Sequence, residues 1–374
     1  MNNSVCLYVI YDVQSMINPY IGEVLREISR FVKDIFVICN FPKIQKGVEH
    51  VEPYAKQIFL RENIGYDFGA YRDAIIEFIG TETIGQYDEL ILTNDTYFAP
   101  IFPFDEMFST MNDTECDYWG ITRHPGGFDA DVGEFENHIQ SYFFCFKRRA
   151  FHSAAFHRFW KNFKYAENKA EAIILFELGI NRCLTEHGFI GKAYTDVSDP
   201  PLMVEYGVNP YTVYAFKLIR DHRIPMIKKT NFYGKNRSLI DAMRALEYIG
   251  NNTSYDSDLI KNYIDEYRSK GLIGPYFDFI HLHQFVKEHD RIFIYGAGVW
   301  GHIAADYLKS KNMEFESYLV TEPADDKALA FDDIKIERTD GIIIAQECKE
   351  VCDIIKDHIG YSVSNDQIFT PCYP

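Results

Sequence analysis

The chain has 374 residues and a formal net charge of −17 at pH 7, which argues against a nucleic-acid binder, and its apolar content can fill the cores of two or three domains. No apolar run approaches the roughly 20 residues of a transmembrane helix, so we expect any membrane contact to be peripheral, at the inner face of the cell membrane. Eight scattered cysteines with no Cys-x-x-Cys pair, and no secretory signal, predict reduced thiols in a cytoplasmic protein.

One stretch departs from the acidic composition. Residues 147–164 contain six basic side chains: Lys147, Arg148, Arg149, Arg158, Lys161 and Lys164. Two interpretations are open for this stretch. It is either a basic surface that meets an anionic substrate or a membrane, or an ordinary solvated helix face.

The first 92 residues alternate between strand and helix patterns. Residues 5–11 predict a short apolar strand that ends at Asp12, residues 20–31 have helical periodicity, and residues 34–39 predict a second strand. Residues 57–60 and 89–92 continue the alternation. This pattern predicts a doubly wound α/β domain with a parallel sheet, in which ligands bind beyond the carboxyl ends of the strands.

A polar loop with spaced glycines follows the strand at residues 57–60 and leads into a helix at residues 69–79. Gly65 permits a close approach of a ligand to the backbone. Asn63 and Asp67 offer oxygen acceptors that could bind a base edge or ribose hydroxyls. The alternative is an ordinary strand-to-helix turn with an aspartate near the N-cap.

The strand at residues 89–92 stops abruptly at Asn94 and Asp95. A carboxylate at a strand end could share a divalent cation with a diphosphate, because Mg²⁺ and Mn²⁺ prefer oxygen ligands. The alternative is an Asx-type turn ahead of two prolines. Five polar residues fall at predicted strand ends and together predict one polar rim: Asp12, Asn63, Asp67, Asn94 and Asp95.

Residues 138–146 predict an aromatic strand whose alternation sends His138, Gln140 and Tyr142 to one face. These groups would line an acceptor cleft beside Trp119 and His124. Aromatic rings beside polar groups suit sugars, whose C–H faces stack on them. Residues 123–137, rich in glycine and acids, are expected to form a mobile loop over this cleft or a plain surface loop.

From residue 231 onward the pattern becomes helical, at residues 238–249, 256–270 and 276–289, with turns at 250–253 and 271–275. A strand then leads into the turn Gly296-Ala-Gly-Val-Trp-Gly301 and a helix, with Glu322 about 20 residues further on, which is a dinucleotide fingerprint. Only about two more strands follow, at residues 341–345 and 367–369, about half of a full Rossmann domain. A docking or oligomerisation role is favoured over cofactor chemistry.

Six motifs follow one another along residues 5–265: Glu62-Asn-Ile-Gly-Tyr-Asp-Phe-Gly-Ala-Tyr71, Thr93-Asn-Asp-Thr96, Asp117-Tyr-Trp-Gly-Ile-Thr122, His138-Ile-Gln-Ser-Tyr-Phe143, Ile224-Pro-Met-Ile-Lys228 and Asn252-Thr-Ser-Tyr-Asp256. Together they resemble the rhamnan synthesis protein F family of bacterial glycosyltransferases. The C-terminal unit resembles accessory domains of other polysaccharide-synthesis enzymes. The resemblance is specific for the family and not for the sugar.

The resemblance implies a GT-A type glycosyltransferase in which an Asp-x-Asp motif at a strand end holds a divalent metal, Mn²⁺ or Mg²⁺. The corresponding tripeptide here ends in Asn94 and Asp95 and keeps only the last carboxylate. Asp95 is therefore the expected metal ligand, with His222 as a candidate to complete the coordination or as a structural residue before an Ile-Pro turn. The implied partners are a dTDP- or UDP-linked sugar donor, a glycan or lipid-linked acceptor, and other polysaccharide-assembly enzymes.

The resemblance also extends to inverting GT-A enzymes. In these enzymes an acidic residue that acts as the general base lies at the start of a helix, and a glycine ends that helix about eleven residues later. Residues 177–188 have this spacing, from Glu177 to Gly188. Glu177 is the expected general base, because an acceptor hydroxyl must lose its proton as it attacks the anomeric carbon. A plain surface position for Glu177 is the alternative, and Glu171 and Glu186 lie nearby.

We therefore predict a GT-A like glycosyltransferase domain over residues 1–230, a helical connecting segment over 231–289, and a small Rossmann-like accessory α/β domain over 290–374. The predicted function is transfer of rhamnose or a similar hexose from a nucleotide-diphosphate sugar to a growing cell-surface polysaccharide or lipid-linked glycan. Two other classes stay open. One is an NAD-dependent sugar-modifying enzyme that uses the C-terminal turn, and the other is a non-catalytic scaffold of a polysaccharide-assembly complex.

Overall fold

A computed structural model describes residues 3–129, 131–197, 209–232, 238–270, 277–323 and 328–373. The chain divides into two compact units, the first made of Met1–Thr230 and Ala245–Ile260 and the second of Asn231–Arg244 and Lys261–Pro374. The predicted turn at residues 271–275 lies outside the described residues. Each unit is an α/β structure around its own sheet, which confirms the predicted fold class.

The first unit is built on a sheet of eight strands. The described residues of this unit contain twelve strands: β1 Ser4–Ile10, β2 Asp34–Cys39, β3 Gln57–Leu60, β4 Glu89–Asn94, β5 Tyr97–Phe98, β6 Tyr118–His124, β7 Gly127–Asp129, β8 Gly133–Phe135, β9 His138–Ile139, β10 Phe143–Phe146, β11 Gly191–Thr195 and β12 Ile227–Lys228. The main sheet has the order β11-β6-β10-β4-β1-β2-β3, with β9 on β6. Strands β3, β2, β1 and β4 are parallel, whereas β10 runs antiparallel to both of its neighbours.

Helices of the first unit connect these strands: α1 Pro19–Ile28, α2 Tyr66–Asp73, α3 Thr81–Ile84, α4 Asp105–Asp113, α5 Arg148–Phe151, α6 Ala154–Lys161, α7 Lys169–Ala172, α8 Gly179–Glu186, α9 Pro210–Val213 and α10 Ala215–His222. Two segments are π-helical, Ala74–Phe78 after α2 and Ile173–Leu178 between α7 and α8. One aromatic-rich core joins sheet and helices, with Phe144, Phe146, Trp160 and Phe176 among its members. The strand and helix alternation predicted for residues 5–92 is confirmed.

The predicted aromatic strand at residues 138–146 is interrupted, and this is a correction. Both β9 and β10 pair with β6, through Arg123↔Ile139 and Gly120↔Phe144. On β6, Arg123 and Gly120 are three positions apart, whereas their partners Ile139 and Phe144 are five positions apart. The segment between β9 and β10 therefore contains two extra residues, which form a bulge. The bulge ends the simple alternation, and Gln140 and Ser141 no longer follow the pattern of a continuous strand.

The second unit carries a smaller parallel sheet. Its elements are α12 Asp258–Ser269, α13 Phe279–Lys287, β13 Arg291–Tyr295, α14 Val299–Ser310, β14 Ser317–Val320, β15 Ala328–Ala330, β16 Asp340–Ile344, α15 Lys349–Ile359 and β17 Ile368–Phe369, preceded by α11 Ser238–Asn252. All neighbouring strands are parallel in the order β15-β14-β13-β16-β17. When the five strands are numbered from β13 onward, their order in the sheet is 3-2-1-4-5. This is the strand order of dinucleotide-binding domains without its sixth strand. The expectation of only half such a domain was too low, because the short strand β15 gave no sequence signal.

Candidate functional site

Polar residues collect where the parallel strands of the first unit end. Asn94 is the last residue of β4, Asp95 follows it, and Asp67 lies in the first turn of α2. The side chains of Tyr11, Val13 and Ile64 beside this rim are 47%, 61% and 56% exposed. Apolar surface next to hydrogen-bonding groups at the carboxyl edge of a parallel sheet fits a ligand with a flat ring.

Asn94 and Asp67 form the first contact of the site. Asn94 Oδ1 accepts hydrogen bonds from the backbone N–H (3.1 Å) and the hydroxyl (2.6 Å) of Thr96, so its amide nitrogen points the other way and donates to Asp67 Oδ2 at 2.6 Å. Burial raises the pKa of Asp67 to about 7, assisted by the negative charge of Asp95 and opposed by the Asn94 hydrogen bond. Asp67 therefore exchanges its proton near neutral pH.

Asp95 forms a buried ion pair with Lys229. The Lys229 ammonium lies 2.9 Å from Asp95 Oδ2, and only 10% and 8% of the two side chains are exposed. The Tyr20 hydroxyl donates to the Asp95 backbone carbonyl at 3.1 Å, and the Tyr11 backbone N–H lies 3.4 Å from Asp95 Oδ1. Lys229 also sits over the Tyr20 ring, with its ammonium 5.0 Å from the ring centroid.

Glu177 anchors the opposite side of the site. It lies on the π-helical segment Ile173–Leu178, and its carboxylate accepts a hydrogen bond from the Ser141 hydroxyl at 2.8 Å and contacts His138 Nε2 at 3.2 Å. Burial pushes the pKa of Glu177 upward, but the His138 contact, the Lys228 charge and the Ser141 hydrogen bond outweigh it and lower that pKa to about 2. Glu177 is ionised at any neutral pH.

His138 is held between two acceptors. Its Nδ1 lies 2.9 Å from the backbone carbonyl of Glu136, and its Nε2 faces the Glu177 carboxylate. A carbonyl and an ionised carboxylate only accept, so each contact is a hydrogen bond when the ring nitrogen that faces it carries a proton. His124 stacks on it with ring centroids 5.3 Å apart, and burial followed by the His138 charge lowers the pKa of His124 to about 4.

Asn181 fixes the Glu177 segment against the sheet. Its amide nitrogen donates to the backbone carbonyls of Ile139 (3.0 Å) and Glu177 (2.8 Å), and its oxygen accepts from the Ile139 N–H at 3.1 Å. These bonds satisfy groups that the π-helical geometry and the bulge leave open. The carboxylate is therefore positioned by a buried polar side chain.

Lys228 and Lys229 connect the two sides of the site. Strand β12 pairs with β5 through Lys228↔Tyr97, and the Lys229 N–H donates to the Thr96 carbonyl at 2.9 Å. Lys228 lies over the Tyr142 ring at 4.4 Å, and burial lowers the pKa of its ammonium to about 8 against the opposing charge of Glu177. One short strand thus carries a cation to each side.

The residues around Asp95 do not fit a divalent cation. Its Oδ2 already meets the Lys229 ammonium, and the Asn94 oxygen is turned to Thr96. Within the described ranges no three His, Cys, Asp or Glu side chains are grouped so that they could hold a metal. His222 lies exposed at the C-terminal end of α10. The charge beside Asp95 is supplied by a lysine.

Two of the predicted site residues, Asp12 and Gly65, stabilise the backbone of their own loops, and a third, Asn63, is exposed. The buried Asp12 carboxylate accepts from the backbone N–H groups of Gln14 (2.8 Å) and Met16 (3.2 Å), closing its own loop. Gly65 has φ +72, and a Cβ there would lie 2.7 Å from the Tyr165 ring, so this glycine is needed by the turn. Asn63 is exposed.

The predicted acceptor residues separate into two groups, and three of them do not line a cleft. Trp119 is 1% exposed and packs on Phe108 and Phe143, which corrects its placement, because its strand is covered on that face. Gln140 and Tyr142 are buried and both meet the Thr122 hydroxyl, at 2.8 and 2.6 Å. His124 and His138 belong to the group around Glu177.

Sequence reasoning missed Lys228, Lys229 and Ser141 as functional candidates. Lys228 and Ser141 lie inside motifs quoted for the family resemblance, but nothing in the pattern gave them a role. Two adjacent lysines after a proline, in a chain of net charge −17, were the available signal. Their place became evident only from the pairing of β12 with β5.

The basic stretch at residues 147–164 divides between two roles. The Lys147 ammonium donates to the carbonyls of Met111 and Thr114, Arg148 pairs with Asp88, and Arg149 pairs with Asp117 at 2.5 Å. Arg158 and Lys164 instead line a cleft of about 520 Å³ together with aromatic side chains of α6 and the segment that follows it. Half of the stretch thus holds the fold together.

In the second unit, the glycine-rich turn has the backbone of the dinucleotide fingerprint. Gly296 has φ +113, and a Cβ on Gly301 would lie 1.9 Å from the Gly296 carbonyl oxygen, so α14 packs closely on the turn. A Cβ on Gly298, the N-cap of α14, would meet nothing within 4 Å. Glu322 is exposed after β14.

No helix in the described part of the chain is both long enough and apolar enough to span a bilayer.

Sequence comparisons identify relatives of unassigned or general description. The chain is 24% identical over 157 residues to "Uncharacterized protein y4gN" of Sinorhizobium fredii, covering 41% of this chain and 39% of that protein. It is 27% identical over 150 residues to "Virulence protein VirA" of Vibrio anguillarum, covering 39% of this chain and 45% of that protein. The match spans less than half the length of these relatives.

Two solved structures align with part of the chain at low similarity. A putative nucleotide-diphospho-sugar transferase from Desulfovibrio desulfuricans has 12% identity and a TM-score of 0.34, covering 68% of this chain and all of that one. A mannosyltransferase from S. cerevisiae has 8% identity and a TM-score of 0.28, covering 48% of this chain and 62% of that one. Both TM-scores lie below 0.5, so neither match supports a conclusion about this chain.

A match to a protein family covers more of the chain than these relatives do. Residues 35–334 match the family described as rhamnan synthesis protein F, which is more than half of the chain and includes Asp67, Asn94, Asp95, Glu177 and the two lysines. The six motifs all lie within this range, and the resemblance to the family is confirmed. The chain belongs to the rhamnan synthesis protein F family.

Proposed function

We propose that the first unit is a GT-A type glycosyltransferase that moves a sugar from a nucleotide-diphosphate donor to a glycan acceptor. The observation that carries this proposal is the pairing of opposite charges at the carboxyl edge of the sheet: Asp95 with Lys229, and Glu177 with His138. Membership of the rhamnan synthesis protein F family supports it. The donor proposed is a dTDP- or UDP-linked rhamnose or similar hexose.

The proposed reaction is a single inverting displacement. An acceptor hydroxyl attacks the anomeric carbon and gives its proton to Glu177, while the bond from that carbon to the diphosphate oxygen breaks and the electron pair leaves with the diphosphate. The Ser141 hydroxyl and the His138 ring orient the carboxylate at 2.8 and 3.2 Å. Because these contacts also make Glu177 a weaker base, its rate contribution is expected near the lower end of the usual 10² to 10⁴ range.

A divalent metal at Asp95 and His222 is left out of this mechanism, since the carboxylate is engaged by Lys229 and His222 is exposed. The acceptor is proposed to be a growing cell-surface polysaccharide or a lipid-linked glycan, handled together with other assembly enzymes. The cleft beside Arg158 and Lys164 offers a cationic, partly apolar surface for peripheral contact with a membrane.

The proposal is tested by thermal unfolding with a panel of UDP-, dTDP- and GDP-sugars. A ligand that binds only the native state at 100 times its Kd raises the free energy of unfolding by about 2.7 kcal/mol. We expect one nucleotide class to raise the melting temperature and the Asp67→Asn variant to change that response. A chain stabilised by none of the nucleotide sugars at millimolar concentration would contradict the proposal.

A second candidate function uses the second unit. Its 3-2-1-4-5 strand order and the close approach of Gly301 to Gly296 favour a dinucleotide at the turn. An NAD-dependent sugar-modifying enzyme would then show NADH fluorescence enhancement that Gly298→Asp abolishes. Stabilisation by neither nucleotide sugars nor NADH would favour the scaffold role.

A further inference from the structure

We propose that Lys229, seated on Asp95, supplies the positive charge that the departing diphosphate requires, so that the enzyme binds its nucleoside-diphosphate donor without a divalent metal. This inference rests on the proposed glycosyl transfer. It departs from the metal site that the family resemblance implies.

Backbone pairing places Lys229 beside Asp95. Strand β12 runs antiparallel to β5, with Ile227 opposite Phe98 and Lys228 opposite Tyr97. The next pair in this register brings Lys229 opposite Thr96, and its N–H donates to the Thr96 carbonyl at 2.9 Å. Since Asp95 is the adjacent residue, the ammonium reaches its carboxylate without depending on a flexible surface segment.

The Asp95 carboxylate is enclosed by protein donors. Lys229 approaches Oδ2 at 2.9 Å, the Tyr20 hydroxyl lies 3.4 Å from the same oxygen, and the Tyr11 N–H lies 3.4 Å from Oδ1. With 8% of the Asp95 side chain exposed, a metal ion would have to displace the ammonium from a buried pair. Removing one partner of such a pair is costly because the other charge stays buried.

Neighbouring oxygens are also committed. Thr93 stands where the Asp-x-Asp motif has its first carboxylate. Asn94 stands at the middle position, and its oxygen accepts two hydrogen bonds from Thr96. Asp67 accepts a hydrogen bond from the Asn94 amide nitrogen at 2.6 Å. A Mn²⁺ or Mg²⁺ ion prefers several ionised or carbonyl oxygens, and the described residues around Asp95 do not offer them.

A lysine ammonium has the properties that the step needs. It carries three donors, and it is a compact charge that binds phosphates. As the bond between the anomeric carbon and the diphosphate oxygen breaks, Lys229 donates a hydrogen bond to the oxygen that receives the electron pair. The proton of the acceptor hydroxyl goes to Glu177, so no proton leaves Lys229.

The first experiment is calorimetric titration of the full wild-type chain with UDP, dTDP and GDP, in about 1 mM EDTA and again in about 5 mM MnCl₂ or MgCl₂. We expect one nucleoside diphosphate to bind with dissociation constants that agree within about twofold between the two conditions. Binding that strengthens more than about tenfold with metal would overturn this inference and leave the proposed function standing. Absence of binding in both conditions would overturn both.

The second experiment compares variants in EDTA. Lys229→Met is expected to weaken nucleoside-diphosphate binding roughly 10- to 100-fold, the size of a lost charge-assisted hydrogen bond, and Lys229→Arg to weaken it less. Lys33→Met, a change at an exposed lysine just ahead of β2, is the matched control and should bind as wild type. If Lys229→Met does not fold, Lys229→Gln is measured instead, because its amide keeps a donor for Asp95 but carries no charge. Wild-type affinity in the folded variant would refute the role of Lys229.

Discussion

Substitution of Glu177 by Gln keeps the shape of the side chain and removes its charge, and it should affect turnover and acid stability together. For turnover, we expect a fall of about 10², since general-base catalysis contributes 10² to 10⁴ and the contact with His138 weakens this base. For stability, the lowering of the Glu177 pKa from 4.5 to about 2 corresponds to roughly 3 kcal/mol at neutral pH as an upper limit.

The sign of the pH dependence follows from the lowered pKa. Above pH 4.5 the carboxylate is ionised in both the folded and the unfolded chain, so its stabilisation is fully present, and it is lost as the pH falls toward 2. The difference in free energy of unfolding between wild type and Glu177→Gln should therefore be largest near neutral pH. It should shrink steadily below pH 4.5.

The assay combines release of nucleoside diphosphate under saturating donor with urea unfolding at several pH values. Glu186→Gln, an exposed glutamate at the end of α8, is the control and should change neither quantity. Undiminished turnover in Glu177→Gln would remove this residue as the base. A difference in unfolding free energy that does not depend on pH would show that the ion pair with His138 is misjudged.

Three further predictions concern other residues. Asp95→Ala should abolish donor binding and also lower the free energy of unfolding by about 3 kcal/mol, because it removes the carboxylate of the buried ion pair with Lys229. Calorimetry measures the binding and urea unfolding measures the stability, and an unchanged free energy of unfolding would argue against the ion pair. The stability of Asp67→Asn relative to wild type should be more favourable at pH 8 than at pH 4, because the raised pKa of the wild-type carboxyl group makes wild type lose stability as the pH rises toward 7. Urea unfolding of both chains at the two pH values measures this, and a stability difference that is unchanged or less favourable at pH 8 would contradict it. Gly301→Ala should destabilise the second unit, because its Cβ would lie 1.9 Å from the Gly296 carbonyl oxygen, whereas Gly298→Asp should leave the fold unchanged. Melting of both variants is followed by circular dichroism, and equal melting temperatures would contradict the close packing of Gly301 on Gly296.

The elements that sequence reasoning located are those with local signals. Strands β1 to β4 are short apolar runs bounded by polar residues, and the turn before α14 has three spaced glycines. Asn94, Asp95 and Asp67 were placed at one rim because parallel strands share a carboxyl edge, and the structure joins Asn94 to Asp67. Periodicity and punctuation were enough for this part of the fold.

What sequence reasoning missed depends on contacts distant in the chain. Asp95 and Lys229 are 134 positions apart, and only the pairing of β12 with β5 brings them together. Trp119 was assigned to a cleft because aromatic residues suit sugars, but burial on one face of β6 cannot be read from a single strand. The bulge after β9 also broke the alternation on which the placement of Gln140 and Tyr142 depended.

Because Glu177 lies on the π-helical segment Ile173–Leu178, the number of residues ahead of it decides the direction in which its carboxylate points. A π-helical turn contains one residue more than an α-helical turn, and each residue of an α-helix advances by about 100° around the axis. Deleting one residue ahead of Glu177 would keep a helix there but turn the carboxylate by about 100°, away from Ser141 and His138. Related chains should therefore be aligned with any gap placed inside this segment, because a gap placed elsewhere would assign the role of Glu177 to the wrong residue.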